Sequence, residues 1–168
     1  DHPNMPWDGT TLQLSDLAED GSLTRLHTVA GGAAESIQQP CWQENALLFI
    51  SDANGYWNLY RYDESGIYCV LEDGTDYAEP PWVFGANSLA QVDAEHVIIS
   101  RHGESGDELV LVNTRTTMGT PLSDGSSPWI GCAYPTVLDG NVFFIGAYTD
   151  RTPALVSLSL KTGESELL

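Results

Sequence analysis

The chain has 168 residues, with 24 Asp and Glu against six Lys and Arg, for a net charge of −18. That balance excludes the basic footprint of a nucleic-acid binder and sets the chain against anionic membranes. No run of about 18 apolar residues is present to span a bilayer. The length, with 42% hydrophobic residues, suits one domain with a buried core.

From the N-terminus, residues 1–9 read as a loop with two prolines. Residues 10–16 and 23–29 are strand candidates joined through Asp20-Gly21, a hairpin signal. Residues 31–36 form a link of small and polar residues. A set of four strands follows: Pro40-Cys41-Trp42, then Leu47-Leu48-Phe49-Ile50, then residues 57–62, then residues 67–71. Turn residues separate them, notably Asp52-Ala53-Asn54-Gly55 and Asp63-Glu64-Ser65-Gly66, so the set predicts an antiparallel meander.

The third set spans residues 75–122. Its first strand is expected to include Pro81-Trp82-Val83-Phe84, with Trp82 echoing Trp42, and a polar hairpin is expected over residues 101–107. The fourth starts near Ser127 and uses residues 134–138, an Asp139-Gly140 turn, residues 142–145, residues 155–160 and residues 165–168. Asp73-Gly74 and Asp124-Gly125 mark the junctions between sets. No segment carries a sustained helical apolar period.

The sets repeat. Leu12, Leu59, Leu109 and Leu155 mark the third strand at steps of 47, 50 and 46 residues. The second strand recurs as Leu48-Phe49-Ile50-Ser51, Val97-Ile98-Ile99-Ser100 and Phe143-Phe144-Ile145-Gly146. A four-stranded unit recurring every ~40–50 residues is the sign of a β-propeller blade, because one meander has two apolar faces that only stacked neighbours can cover. The expectation is an all-β partial β-propeller of about three and a half four-stranded antiparallel blades and fourteen strands. Its divisions are a half blade over 1–32 and blades over 33–74, 75–122 and 123–168. The half blade lacks two strands, so the chain reads as a piece of a longer protein. A face left bare, with Phe49, Trp57, Tyr60, Phe143 and Phe144 expecting neighbours, points to a homodimer through exposed blade faces.

Three cysteines are an odd number. Cys41 and Cys69 fall on the first and fourth strands of one meander, on the order of 14 Å apart, beyond disulfide reach of ~7 Å. All three are expected reduced and buried, which fits a cytoplasmic location.

The string Asp1-His2-Pro3-Asn4-Met5-Pro6-Trp7-Asp8-Gly9-Thr10, the tetrapeptide Gln39-Pro40-Cys41-Trp42, the segment Phe49-Ile50-Ser51-Asp52 with Gly55-Tyr56-Trp57-Asn58-Leu59-Tyr60-Arg61, and Trp82-Val83-Phe84-Gly85 carry a family likeness. Together they resemble the N-terminal β-propeller of the prolyl oligopeptidase family of serine peptidases, in its acylaminoacyl-peptidase and dipeptidyl-aminopeptidase branch. The resemblance covers essentially the whole chain. It implies a parent serine peptidase whose α/β-hydrolase domain holds the catalytic residues, with the propeller gating access of peptide substrates. The looser likeness of the Ser-Asp-x-x-Gly and Asn-Leu-Tyr element to the propeller of TolB supplies the alternative, a protein-binding module. A free-standing small propeller with a ligand in its channel is a third reading.

No nucleophile elbow of the form Gly-x-Ser-x-Gly is present. Gly103-Glu104-Ser105-Gly106-Asp107 lacks the last glycine, and Ser105 reads as a turn residue. His2, His27, His96 and His102 have no metal-ligand spacing, no Cys-x-x-Cys occurs, and no Asp-x-Asp-x-Asp-Gly loop marks calcium. No catalytic, metal or cofactor-binding residue is assigned, and no cofactor is expected. Gln38 and Gln39 are placed before the innermost strand of the second unit, where they could line the central channel, with Glu79 in a similar place in the third. The resemblance allows Glu79 a part in holding a substrate's free amino terminus, as propeller acids do in some relatives. The aromatics of residues 57–62 are expected in the core or between blades.

Overall fold

The computed structural model describes residues 5–123 and 128–168. Asp1 to Asn4, and with them His2 and the start of the family-like string, lie outside the described residues, as do Asp124-Gly125 and Ser127.

Strand β1 (Thr11–Leu17) pairs with β2 (Leu23–Gly31) in a two-stranded antiparallel sheet. Strands β3 (Ile37–Gln43), β4 (Ala46–Ser51), β5 (Asn58–Asp63) and β6 (Gly66–Leu71) form the second sheet. Strands β7 (Leu89–Gln91), β8 (His96–Gly103), β9 (Gly106–Asn113) and β10 (Met118–Pro121) form the third. Strands β11 (Gly131–Leu138), β12 (Asn141–Ala147), β13 (Ala154–Ser159) and β14 (Ser165–Leu167) form the fourth. Each four-stranded sheet is a meander with its strands in sequence order, and no helix occurs among the described residues. The chain therefore has the all-β, partial β-propeller architecture that its period implies.

Two apolar cores hold the sheets together. Leu48, Ile50 and Leu59 of the second sheet meet Val97, Ile99, Val110 and Val112 of the third. The other face of the third sheet, through Ile98 and Leu109, meets Val142, Phe144, Val156 and Leu158 of the fourth. Alternation along β8 sends successive side chains to opposite seams, as the two-residue period of a strand requires. The two-stranded sheet is tied on through Thr10, whose Oγ1 accepts from Ile37 N at 2.5 Å and whose N donates to Glu35 O at 2.9 Å. Gly31 (φ +95°) sits against this junction. A Cβ there would lie 2.1 Å from Thr10 O, so glycine is required both for the backbone angle and for the close approach. At the β11–β12 hairpin, Asp139 (φ 49°) and Gly140 (φ 76°) are both left-handed, the two-residue turn that Asp-Gly favours.

Four sequence expectations need correction. Pro81-Trp82-Val83-Phe84 is not a strand; β7 begins at Leu89. Pro80 and Pro81 have no N–H for a ladder, and Trp82 N instead turns back to Pro80 O at 2.8 Å. Trp82 does not match Trp42 either, because Trp42 stands opposite Leu47 whereas Gln91 stands opposite Val97. The second-strand alignment slips by one. Leu59 and Leu109 face Ile50 and Ser100 respectively, which makes Ile98, not Val97, the counterpart of Leu48. One residue of slip exchanges the two faces of a strand, and Val97-Ile98-Ile99 is apolar throughout, so its pattern could not fix the register. The hairpin expected over residues 101–107 is present, with a turn of only Glu104-Ser105, so that Arg101, His102 and Asp107 are strand residues. Of the cysteines, all unbonded, only Cys132 is buried; Cys41 and Cys69 are half-buried, Cys41 against the core between the second and third sheets.

Candidate functional site: the channel-facing cavity

The innermost strands β3 and β11 share a local device. In β3, Gln38 faces Ile50 and Cys41 faces Leu48, so Gln39-Pro40 together oppose Phe49. In β11, Ala133 faces Ile145 and Thr136 faces Phe143, so Tyr134-Pro135 together oppose Phe144. Both are bulges, and in both the residue before proline is left-handed: Gln39 at φ 54° and Tyr134 at φ 56°. A proline cannot donate to the ladder, so the bulge falls where no donor is lost. Strand β7, between them, carries no bulge.

The bulges knit the three inner strands together. Gln39 Oε1 accepts from Ser88 N at 2.8 Å and from Ser88 Oγ at 3.2 Å. On the other side, Tyr134 N donates to Asn87 O at 3.0 Å, and Asn87 Nδ2 donates to Pro135 O at 3.3 Å. Gln38 is buried, and its Nε2 donates to Glu79 O at 3.1 Å, which holds the connection between β6 and β7 against the second sheet.

These contacts frame a cavity of about 320 Å³, in the size range of small-ligand sites. Its polar wall includes Gln39, Glu79, Asn87, His102 and Asp107; Ala86, Ala133, Ile145, Ala147 and Pro153 supply an aliphatic wall. His102 Nδ1 lies 2.9 Å from Asp107 Oδ1, and Asp107 Oδ2 accepts from Cys132 N at 3.1 Å, so one carboxylate clamps the seam between the third and fourth sheets. The Asp107 hydrogen bond raises the His102 pKa above its ordinary value. Burial opposes this, and the charges of Asp107, Glu79 and Asp76 add to it. With Nδ1 committed to Asp107, Nε2 is the group His102 offers to the cavity, and it has no partner among the described residues.

The other sequence candidates scatter. His27 is exposed on β2, and His96 pairs with Asp93 at 3.0 Å at the start of β8. Ser105 stands in the β8–β9 hairpin turn, not in the strand-to-helix turn of a nucleophile elbow. Burial pushes the thiols of Cys41, Cys69 and Cys132 up, that of Cys69 to about 11, so none is an activated nucleophile. Of the aromatics on residues 57–62, Tyr60 stacks on Phe49 with ring centroids 5.7 Å apart, and Trp57 packs against the core between the second and third sheets.

Sequence reasoning reached Gln39 and Glu79 but not Asn87, His102, Asp107 or Tyr134 as members of one site. The signal available was the recurrence of residue-Pro at 39–40 and 134–135 on two inner strands.

Three complete meanders stacked face to face, preceded by a two-stranded piece, with bulged inner strands around a cavity, define a β-propeller of blade type. The chain matches no family model and no curated protein. Among solved structures it is similar to a puromycin hydrolase, with a TM-score of 0.87 and 26% identity over 99% of this chain and 25% of that one. A puromycin-hydrolyzing peptidase of Mycobacterium tuberculosis matches with a TM-score of 0.87 and 29% identity over the same shares. Prolyl oligopeptidase B from Galerina marginata shares the fold, with a TM-score of 0.69 at 13% identity over 97% of this chain and 23% of that one. The N-terminal propeller region of prolyl-oligopeptidase-family peptidases is what aligns with this chain, as the motifs at 39–42 and 49–61 imply. The chain spans about a quarter of the length of these structures.

Proposed function

We propose that this chain is a non-catalytic propeller segment of a prolyl-oligopeptidase-like serine peptidase, and that it gates the passage of peptides toward a hydrolase domain supplied by the rest of that protein. The observation that carries the reading is the match over 99% of the chain, at a TM-score of 0.87 and 26–29% identity, to peptidases of that class. The cavity supports a gating role, because bulged inner strands with polar and aliphatic walls can select what passes without doing chemistry. Peptide bond cleavage is left to a Ser-His-Asp set elsewhere in the protein. Puromycin, which both of these similar proteins hydrolyse, is the first substrate to assay, followed by acyl-peptides.

The test uses the full gene product. Its sequence is expected to contain Gly-x-Ser-x-Gly outside these 168 residues. Ala86→Trp, which fills the cavity, is expected to lower kcat/KM for a peptide at least about tenfold, an effect of ~1.4 kcal/mol, and to leave a small activated ester unchanged. Equal loss on both substrates, or on neither, contradicts gating.

A further inference from the structure

The cavity has an aliphatic wall and a polar wall of unusual make-up. Its carboxylates and imidazole are acceptors: Glu79, Asp107, and His102 Nε2 when the ring is neutral; Cys132 and Tyr134 also line it and bring no positive charge. No lysine or arginine lines it. Glu79 stands in the β6–β7 connection, close enough to His102 to act on its charge, and Asp76 of the same connection accepts His102 N through its backbone oxygen at 2.9 Å. Asp107 belongs to β9 and Cys132 to β11. The groups facing His102 from every neighbouring element are thus acidic or neutral.

We propose that this cavity is a proton-linked binding site for a lysine side chain of a peptide, with the ammonium on Glu79 and His102 Nε2 and the four-carbon stem along Ala86, Ala133 and Ile145. Three features select this ligand. The chain carries −18 and a single lysine of its own, Lys161, so a basic partner is attracted over distance. An aliphatic wall beside a small set of acceptors fits a point charge on a methylene stem. A guanidinium would bring five donors to a wall with too few acceptors, and a chain's terminal amine sits next to an amide that the aliphatic wall cannot satisfy. The proton linkage follows from the dyad. A protonated His102 holds a positive charge where the ammonium would sit and has no lone pair on Nε2; the neutral ring offers that lone pair and leaves the carboxylates uncompensated. Lysine binding therefore displaces the His102 proton. The proposal names a ligand for the cavity to which the gating reading also appeals, but it uses only residues of this chain, so peptide binding can fail while gating holds.

The probes are the blocked tripeptide acetyl-Ala-Lys-Ala-amide, its norleucine counterpart, and unblocked Ala-norleucine-Ala-amide, titrated calorimetrically into the full gene product at pH 6 and pH 8. The lysine peptide is expected to bind, and to bind at least about fourfold tighter at pH 8, the factor that even an unshifted imidazole of pKa ~6.5 would give. His102→Gln is expected to remove the pH dependence. Glu79→Gln, at an exposed position that does not threaten folding, is expected to weaken binding at least fivefold at both pH values and to keep the pH dependence. Binding of the norleucine peptide as tightly as the lysine peptide, binding of the unblocked peptide alone, no binding of any peptide, or a pH dependence that survives in His102→Gln would each overturn the proposal.

Discussion

The second and fourth sheets are built on the same plan and live in different surroundings. Leu48, Ile50 and Leu59 occupy one face of the second sheet and are each 0% exposed, because the third sheet covers them. Their counterparts in the fourth sheet are Phe143, Ile145 and Leu155, aligned by the pairs Ile50–Leu59 and Ile145–Leu155. No sheet among the described residues lies over that face; Ile145 is 38% and Leu155 42% exposed. The opposite face of the fourth sheet, with Phe144 and Val156, is as buried as any part of the molecule. The strand pattern is the same, so the neighbour, not the strand, decides what a residue contributes. At ~25 cal/mol per Å² of apolar surface removed from water, a blade is held mainly by what stacks on it.

Substitution at matched positions gives the largest contrast. Ile50→Ala should destabilise the chain by about 2–5 kcal/mol, the range for a buried large-to-small change. Ile145→Ala should cost less than about 1 kcal/mol, since water already reaches the site. Urea denaturation of the two variants measures both, and equal losses would break the comparison.

Taken apart from the rest of its protein, the segment should also find a partner for this face at concentration. We expect the chain to self-associate through the Phe143–Ile145–Leu155 face at micromolar concentration, a two-fold dimer being the simplest arrangement. Leu155→Glu should abolish the association, because it places a charge at the centre of the contact. Sedimentation velocity across a hundredfold dilution reads it; a monomer of 18.2 kDa throughout would contradict it.

A smaller effect separates the two seams by pH. The seam between the third and fourth sheets carries the His102–Asp107 clamp, whereas that between the second and third is tied by Arg61, which donates to Asp63 Oδ2 at 2.9 Å and to Thr114 Oγ1 at 3.1 Å. Because the folded pKa of His102 is raised, its contribution is fully present below the unfolded value near 6.5 and is lost as pH rises through the higher folded value. The stability difference between the native chain and His102→Asn should therefore shrink from pH 6 to pH 8, by less than about 1 kcal/mol for so partly exposed a pair. An unchanged or growing difference would contradict the assignment.

Much of the fold was legible in the sequence. The leucine period and the Asp139-Gly140 turn each report a local rule that the folded chain obeys. What failed were places where local pattern is ambiguous. Val97-Ile98-Ile99 is apolar on both faces because both faces are covered, so it cannot report register. Leu89-Ala90-Gln91 is too short to compete with the aromatic run at 82–84, whose Trp82 instead leans on Trp7 with ring centroids 4.3 Å apart. The cavity was visible only in parts. Gln39 and Glu79 were legible as channel candidates, but nothing local to residues 79, 102 and 107 says that they meet; stacking of the sheets does that.

Hydrogen exchange of the two central strands tests most directly whether a covering neighbour decides the stability of an otherwise equivalent sheet. Leu47 and Leu48 of β4, and their counterparts Val142 and Phe143 of β12, are all paired on both sides in their sheets. If coverage rules, the β4 amides should exchange only on global unfolding and the β12 amides at least about tenfold faster, a gap of ~1.4 kcal/mol in opening free energy. Equal protection in the two strands, or slower exchange in β12, would contradict the account.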